Sequence, residues 1–409
     1  MERELNSGAY GNNRFKTLAV PGVLDLDLLQ VLRKDVKLDS YSLNNVSLKY
    51  LSDCKEDLPA HEIFKRFEGT SADRAVIASY AAKDTVLPLQ LLTKLCILEN
   101  AFEMANATFC PLSYVLNRGQ QIKVYSVLMR KARAMGYACP DNVGIGVVGK
   151  FTGATVLNAE QGAYFDIVSG LDFASLYPSI LRAWTLDFST IVLDAKYDNL
   201  PGVEYYQVET DQGTFRFAQG FPGVLPELLK DLATFRKAAK KKMADAKSRG
   251  DSFAAALHNG EQLAFKITMN SAYGFCGANK GFLCCVPIAA SVTATGRRMI
   301  AQTKALVEQM VPGSRVVYGD TDSVMCILNL GKDKRHDMAA HFEVAEKLAA
   351  DISNTFPPPV ELEFEKVRHA YCRHIAHKLH ADLTLYSYSL CPCSAISPTC
   401  SSPRSATPA

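Results

Sequence analysis

Residues 315–325 place two carboxylates on a short turn between apolar runs, and this arrangement limits the possible folds more than any other segment. The apolar residues on either side have the composition of two buried strands. Gly319 lies between them and would permit a tight turn with Asp320 and Asp322 at its tip. Two carboxylates held so close repel each other, and a divalent cation would relieve that repulsion. The segment predicts a hairpin that binds a metal ion.

An isolated Asp-x-Asp pattern has two other interpretations. It can be a solvated acidic turn without a ligand, which is the better interpretation when nothing else accompanies the pattern. It can also hold a metal ion and the diphosphate of a sugar nucleotide, as in a sugar transferase. The choice among the three depends on other segments of the chain.

The composition is that of an ordinary soluble globular protein. With 409 residues, of which 48% are hydrophobic and 21% charged, the chain is long enough for two or more domains. Its formal net charge of +3 is too small to predict a polyanionic partner. No amino-terminal signal and no long apolar run occurs, so we expect neither secretion nor a membrane span. The 12 cysteines form no pair of Cys-x-x-Cys motifs and are interpreted as reduced thiols.

A further carboxylate follows a predicted strand at residues 164–171. Asp172 begins the run DFASLYPS, in which a tight turn after the strand would bring a metal ion and phosphates together. Asp172 would bind the cation, and the exposed amides of Ser175 and Leu176 would bind the anion. Tyr177 would then lie under a sugar ring. Taken alone, Asp172 is better explained as a cap at the end of a strand.

Asp320 and Asp322 are the candidate partners of Asp172. A third carboxylate on a neighbouring strand would complete a two-metal site for in-line displacement at phosphorus. This combination favours the metal-binding interpretation of the hairpin over a solvated turn.

Two consecutive helical patterns predict a basic helical hairpin. The first, at residues 226–247, has an apolar stripe formed by Leu228, Leu229, Leu232, Phe235, Ala239 and Met243. Its opposite face is basic and includes Arg236, Lys237, Lys240, Lys241 and Lys242. The second carries one polar stripe, formed by Gln262, Lys266, Asn270 and Tyr273.

Arg236, Lys240 and Lys266 of these two helices could cradle a triphosphate through charge-assisted hydrogen bonds. A solvated lysine face is the alternative, and it explains the remaining lysines of the first helix well. It explains Lys266 less well, because apolar residues flank that lysine in a weakly charged helix.

Residues 72–98 predict a long helix that is kinked or interrupted at Pro88. Tyr80 and Asp84 share one face of it, where a phenol could orient a water molecule and a carboxylate could hold a metal ion. The alternative is a phenol packed against its own helical turn, which is the commoner role of such a pair.

Several other patterns are not interpreted as functional sites. Residues 144–149 match a dinucleotide-binding fingerprint, but no helical pattern follows them, so a connector is predicted. Asp25 and Asp27 are interpreted as surface or helix-start residues. The histidines and cysteines of residues 367–409 have irregular spacing in a Ser/Pro/Thr-rich segment, which predicts a disordered tail and not a metal site.

Three motifs in order resemble those of family B DNA polymerases, nearest to the delta catalytic-subunit type and to polymerases of large DNA viruses. Residues 172–179 resemble motif A, residues 266–274 (KITMNSAYG) motif B and residues 318–323 (YGDTDS) motif C. Residues 291–297 and 361–366 also resemble palm segments. Separately, YAAKD at residues 80–84 resembles the third exonuclease motif, and FTGAT at residues 151–155 resembles the segment that joins exonuclease to polymerase, with Phe151 in place of tyrosine.

The resemblance implies a role for each matching residue. Asp172 and Asp322 would bridge two Mg²⁺ ions, with Asp320 nearby. Tyr177 would exclude a ribose 2′-hydroxyl. The incoming triphosphate would be held by Arg236, Lys240, Lys266 and Asn270. Tyr273 would check the nascent base pair.

It also implies an α+β fold in which a family B palm, an antiparallel sheet, carries a helical fingers hairpin and follows a partial RNase H-like exonuclease domain. The expected division is exonuclease-like domain and linker at 1–150, palm at 151–225 and 276–366, fingers at 226–275, and an aberrant tail at 367–409. The two earlier exonuclease motifs have no counterpart before Val23, so proofreading is not expected of this chain.

The function implied by the resemblance is magnesium-dependent, template-directed DNA synthesis in replication. Its partners would be primer-template DNA, deoxynucleoside triphosphates and accessory replication subunits, in the nucleus or at a viral replication site. The rival hypothesis is a catalytically silent polymerase fragment that at most binds DNA or a replication partner. A metal-dependent sugar transferase leaves the stripe that contains Lys266 without a role.

Overall fold

The computed structural model describes residues 2–7, 11–16, 20–139, 151–159, 162–278, 281–368 and 371–373. These residues form helices and antiparallel sheets, which confirms the predicted mixture of the two. The glycine pattern at 144–149, the histidines after residue 368 and the cysteines Cys391 and Cys393 lie outside the described residues. Within the described part, no helix has the length and apolar character needed to cross a membrane.

The described helices are α1 Leu28–Asp35, α2 Leu43–Leu51, α3 Ala60–Phe67, α4 Ser71–Lys94, α5 Ile97–Thr108, α6 Leu112–Asn117, α7 Gln120–Ala134, α8 Leu176–Ala183, α9 Val224–Ser248, α10 Ser252–Cys276, α11 Val286–Met310 and α12 Met338–Ser353. The described strands are β1 Glu2–Ser7, β2 Gly11–Lys16, β3 Val156–Leu157, β4 Gly162–Tyr164, β5 Val168–Phe173, β6 Tyr205–Thr210, β7 Gly213–Ala218, β8 Arg315–Asp320, β9 Ser323–Ile327, β10 Leu362–Arg368 and β11 Tyr371–Arg373.

The chain divides into two compact units, each built from separate segments. The first comprises residues 1–154, 174–299 and 357–360, and the second comprises residues 155–173, 300–356 and 361–409. The five-part division into exonuclease-like, palm, fingers and tail segments remains a prediction.

An antiparallel sheet of five strands organises the second unit, in the order β10-β5-β9-β8-β3. Strand β5, between β10 and β9, is buried along most of its length, with Leu171 and Phe173 almost fully enclosed. The next two strands bury Val316, Val317 and Val324, as their apolar composition predicts. The sheet therefore holds the end of β5 beside the β8–β9 hairpin.

The turn of this hairpin differs from the prediction in one respect. Gly319 lies within β8, and the turn is made by Thr321 and Asp322, with Thr321 in the left-handed region at φ 55°. A Cβ atom at position 319 would lie 2.8 Å from Cδ1 of Leu157 and 3.1 Å from the carbonyl oxygen of Ser323. Glycine is needed here because β3 packs closely against β8, and not because it makes the turn.

In the first unit, the basic helical hairpin forms as predicted. Helices α9 and α10 pack along their length, and Arg236 contacts Gln262 while Phe235 contacts Phe265, as expected for helices that run in opposite directions. Phe235 departs from the predicted apolar stripe, because it is 52% exposed and its ring packs at the outer edge against Phe265.

Helix α4 is continuous across Pro88, so of the two predicted outcomes the interruption was wrong and the kink stays a prediction. The helix begins with a capping box between Thr70 and Asp73. The chain breaks instead at Leu95 and Cys96, where Cys96 adopts a left-handed conformation at φ 49°.

A buried carboxylate fixes the start of α9. Asp187 is fully buried, and its oxygens accept hydrogen bonds from the amides of Val224 and Leu225 at 2.9 and 2.8 Å and from the amide of Ser189 at 3.0 Å. The positive end of the helix dipole further stabilises the charge. Asp187 thus anchors the basic hairpin to the segment that follows α8.

Replacing Asp187 with asparagine should lower the free energy of unfolding by about 2 kcal/mol, since the amide can accept fewer of these bonds and carries no charge. Chemical denaturation monitored by circular dichroism measures the change. The matched substitution Glu204→Gln, at an exposed carboxylate of the same unit, should change stability by less than about 0.5 kcal/mol. Equal effects of the two substitutions would contradict this role.

Candidate active site

The paired strands bring Asp172 and Asp322 together in the second unit. Asp172 is the last but one residue of β5 and stands opposite Ser323 of β9. The amide of Phe173 donates a hydrogen bond to the backbone oxygen of Asp322 at 2.8 Å. The end of β5 is therefore joined directly to the turn that carries Asp322.

The electrostatics of this pair are unfavourable in the absence of a cation. Burial, followed by the charge of Asp322, raises the pKa of Asp172 to about 6, and Glu365 and Glu363 contribute in the same direction while Lys366 opposes them. Burial also raises the pKa of Asp322, with Asp320 and Glu365 adding to the effect. A divalent cation between such carboxylates would replace repulsion with attraction, so the residues present fit a metal ion.

Asp320 occupies a different environment from the other two aspartates. It is exposed, and its two carboxylate oxygens accept hydrogen bonds from the hydroxyls of Thr321 at 2.9 Å and Tyr318 at 3.1 Å. Its oxygens are thus already partly satisfied, which suits a supporting carboxylate better than a principal ligand.

Among the described residues, no group of three or more Asp, Glu, His or Cys side chains is arranged to hold a metal ion. Magnesium sites that act on phosphates commonly use one or two carboxylates, with water and substrate oxygens as the other ligands. The pair formed by Asp172 and Asp322 has the donor set of a site of that kind.

Glu363 is a neighbour of this pair to which no role was assigned from the sequence. It stands directly opposite Asp172 across β10 and β5, and the two carboxylates therefore face each other at the edge of the site. Glu365 follows it at a bulge in β10. The alternation of glutamate with apolar residues in residues 361–366 is the signal of a strand with one acidic face.

The first unit brings two of the predicted nucleotide-binding residues together. The rings of Tyr177 and Tyr273 lie 4.5 Å apart between centroids. Burial and the neighbouring Tyr177 raise the pKa of Tyr273 to about 12, so its phenol is neutral at physiological pH. Gly296 of α11 packs against Tyr177, since a Cβ there would lie 3.5 Å from the ring. The two rings therefore contact each other, and α11 limits the space on one side of Tyr177.

Ser175 makes the sharp turn that the sequence predicts before Leu176. It adopts the left-handed conformation at φ 51°, and Leu176 begins α8 immediately afterwards. The first amides of a helix have no acceptor within the helix and can bind an anion.

The predicted phosphate-binding residues of α9 and α10 are accessible. Lys240, Lys266 and Asn270 are exposed, and Arg236 donates a hydrogen bond to the buried side chain of Gln262 at 3.4 Å. The apolar neighbours Leu263 and Ile267 are themselves each 39% exposed, so their presence does not weigh against a solvated Lys266. A solvated position of Lys266 is therefore compatible with the structure.

The exonuclease-like pair on α4 is engaged by a lysine. The ammonium group of Lys55 donates hydrogen bonds to the phenol oxygen of Tyr80 at 3.2 Å and to Oδ2 of Asp84 at 3.3 Å. These partners raise the pKa of Lys55, the bond to Tyr80 contributing most. Tyr80 and Asp84 therefore meet through a side-chain cation, a contact that the sequence analysis missed.

Comparison with known proteins identifies the family. The family model described as "DNA polymerase family B" matches residues 110–378, about two thirds of the chain. The chain belongs to DNA polymerase family B. The resemblance inferred from its three motifs is thereby confirmed.

This family B chain is 54% identical over 377 residues to the "DNA polymerase" of Paramecium bursaria Chlorella virus NY2A, an alignment that covers 91% of this chain and 41% of the viral protein. It is 42% identical over 388 residues to the "DNA polymerase delta catalytic subunit" of Glycine max, covering 92% and 35% of the two chains. For the Drosophila melanogaster delta catalytic subunit the identity is 40% over 382 residues, covering 90% and 34%. The chain thus spans about two fifths or less of the length of these relatives.

The raised pKa of Asp172 predicts the sign of a stability change. Its pKa in the folded protein, about 6, exceeds the ordinary value of 3.8, so the ionised carboxyl destabilises the folded state above pH 6. At pH 7.5 and without divalent ions, Asp172→Asn should raise the free energy of unfolding by about 1 kcal/mol, less than the full shift implies because water still reaches the group.

Thermal unfolding in EDTA and then in magnesium measures this effect. Magnesium should stabilise the unmodified protein and have little effect on the Asp172→Asn variant. Asp351→Asn, at an exposed residue of α12, is the matched control and should respond to magnesium as the unmodified protein does. A variant that is less stable than the unmodified protein in EDTA would contradict the electrostatic argument.

Proposed function

We propose that this chain carries the catalytic centre of a DNA-directed DNA polymerase of the replicative type. It would transfer deoxynucleotides to a primer 3′-hydroxyl in a magnesium-dependent reaction. The observation that carries the proposal is the joining of Asp172 and Asp322 at one end of the antiparallel sheet, in a chain that belongs to family B.

In this proposal the five-stranded sheet is the palm and the hairpin of α9 and α10 is the fingers. The helices of residues 28–134 would be the remaining part of an exonuclease-like domain. The contact of Lys55 with Tyr80 and Asp84 supports a structural role for that pair in this chain, and proofreading is not part of the proposal.

Asp172 and Asp322 would hold two magnesium ions, and Asp320 would support them. When bound, the metal ions would lower the pKa of the primer hydroxyl and neutralise charge on the leaving pyrophosphate. The protein would supply position and charge, and no side chain would act as a nucleophile. The strained pair of carboxylates suits this role, because their repulsion favours the loaded over the empty site.

The incoming deoxynucleotide would be held by residues of the first unit. The amides of Ser175 and Leu176 would bind phosphate oxygens, together with the side chains of Arg236, Lys240, Lys266 and Asn270. Tyr177 would lie under the sugar and exclude a 2′-hydroxyl. Tyr273 would contact the nascent base pair, and its packing against Tyr177 would couple the selection of sugar and base.

The partners of such an enzyme are primer-template DNA and deoxynucleoside triphosphates, and accessory replication subunits are also proposed. The relatives named above include a viral polymerase and delta catalytic subunits. The proposed location is accordingly the nucleus or a viral replication site.

Primer extension with magnesium tests the proposal. Asp322→Asn should reduce the extension rate about a thousandfold, because a lost metal ligand removes several kcal/mol of transition-state stabilisation. Asp351→Asn, which also removes one negative charge from the second unit, should leave the rate unchanged. Background extension by both the unmodified protein and the Asp322→Asn variant would favour the silent fragment.

The basic hairpin gives a second prediction, which separates a phosphate ligand from a solvated lysine. Lys266→Gln should raise KM for the incoming nucleotide about tenfold, the loss expected for one charge-assisted hydrogen bond. Lys241→Gln removes an equally exposed charge from α9 and should change KM less than about twofold. Similar KM values for the two variants would assign Lys266 to the solvated face.

A further inference from the structure

A cavity with basic walls lies in the second unit, away from Asp172 and Asp322. Its volume is about 310 Å³. It opens where β8 begins and β9 ends, at the opposite end of the hairpin from Asp320 and Asp322. The length of β8 places it about 17 Å from that turn, at roughly 3.3 Å per residue. The cavity is therefore separate from the proposed catalytic site.

Cationic side chains dominate the polar lining. Arg315 of β8 and Lys332 and Arg335 of the loop before α12 all line the cavity, and Asp166 is the acidic residue among the lining residues. Asp166 accepts hydrogen bonds from Nε and Nη2 of Arg335, which fix the guanidinium in place. The guanidinium of Arg315 lies 5.8 Å from the ring centre of Tyr164. These contacts orient the two arginines before any ligand binds. The lining carries more positive than negative charge.

A buried histidine forms part of the same lining. His341, in the first turn of α12, is only 1% exposed, yet neither ring nitrogen has a hydrogen-bond partner of ordinary geometry in the described structure. Burial lowers the pKa of His341, although the backbone of Arg335 and the carboxylates of Asp337 and Asp166 oppose the shift. A neutral imidazole has one donor and one acceptor, so even with the Arg335 backbone close to the ring at least one nitrogen of His341 is unused, which costs stability inside a protein. The unused nitrogen is available to a hydrogen-bonding ligand in the cavity.

We propose that this cavity is a binding site for the phosphate group of a nucleotide or of a nucleic-acid strand. Guanidinium and ammonium groups that approach from β8 and from the loop match the several oxygens of a phosphate, and the imidazole of His341 can donate to another. The cavity exceeds the size of a bare phosphate and falls at the lower end of the usual range for small-molecule sites, roughly 300–1,000 Å³. Ile327, Leu328 and Leu330 supply apolar walls for the rest of the ligand.

Binding can be measured on the full chain without magnesium and without any catalytic readout, so it does not depend on the proposed polymerase activity. Inorganic phosphate and dAMP are the probes, followed by isothermal titration calorimetry and by the ring resonances of His341 in NMR spectra. Saturable binding with one site per chain is expected. Lys332→Gln should weaken it about tenfold, as expected for the loss of one charge-assisted hydrogen bond.

Lys334→Gln is the matched control, because Lys334 is an exposed lysine of the same loop that does not line the cavity. It should change the affinity less than about twofold, as expected for an exposed charge without a direct contact. Equal loss of affinity in the Lys332 and Lys334 variants would show that the loss comes from general surface charge and would overturn the proposal. Absence of saturable binding of either probe would also overturn it.

His341→Leu distinguishes a ligand-binding histidine from a structural one. Leucine fills a similar space without unsatisfied polar atoms, so the melting temperature should stay the same or rise while phosphate affinity falls. A lower melting temperature with unchanged affinity would contradict the proposal.

The source of the phosphate follows from a last comparison of affinities. Tighter binding of dAMP than of a short single-stranded oligonucleotide identifies a free nucleotide as the ligand, and tighter binding of the oligonucleotide identifies a nucleic-acid strand.

Discussion

A single backbone hydrogen bond, from the amide of Phe173 to the carbonyl oxygen of Asp322, underlies the arrangement of the second unit's carboxylates. It joins the end of β5 to the β8–β9 turn, where the ladder between β5 and β9 would otherwise stop. Burial of Leu171 and Phe173 holds β5 in register, because a shift of one residue would place the carboxylate of Asp172 at a fully enclosed apolar position. The position of Asp172 beside Asp322 is therefore fixed by apolar packing on the same strand that carries the charge.

This arrangement places an energetic cost inside the sheet. Burial and the charge of Asp322 disfavour ionised Asp172, and burial and the charge of Asp320 disfavour ionised Asp322. Glu365 on β10 adds to both effects, and Glu363 adds to the first. A fold selected for stability alone would not collect carboxylates in this way. The cost is understandable if a cation is the normal occupant, and the surrounding strands are buried well enough to tolerate it. The cavity around His341 shows the same pattern, since it too keeps an unsatisfied polar group in a buried place.

Much of this structure was predictable from the sequence, because the strongest patterns are local. The composition on either side of Asp320 and Asp322 predicts β8 and β9, and the spacing of Gln262 and Lys266 predicts the polar stripe of α10. Contacts between distant segments were not predictable, such as that of Lys55 with Tyr80 and Asp84. The exposure of Lys266 was not predictable either, since apolar neighbours in sequence do not determine which side of a helix is covered. Pro88 shows that a helix supported by tertiary contacts can pass through a residue that weakens it locally.

The close approach of β3 to Gly319 limits how this sheet can change during evolution. A methyl group at that position would lie 2.8 Å from Cδ1 of Leu157, which would have to shift, and 3.1 Å from the carbonyl oxygen of Ser323 in the hairpin itself. A smaller residue at position 157 would relieve the first contact and leave the second, which only a movement of the backbone can relieve. The shape of the acidic turn thus depends on a residue that takes no part in its chemistry.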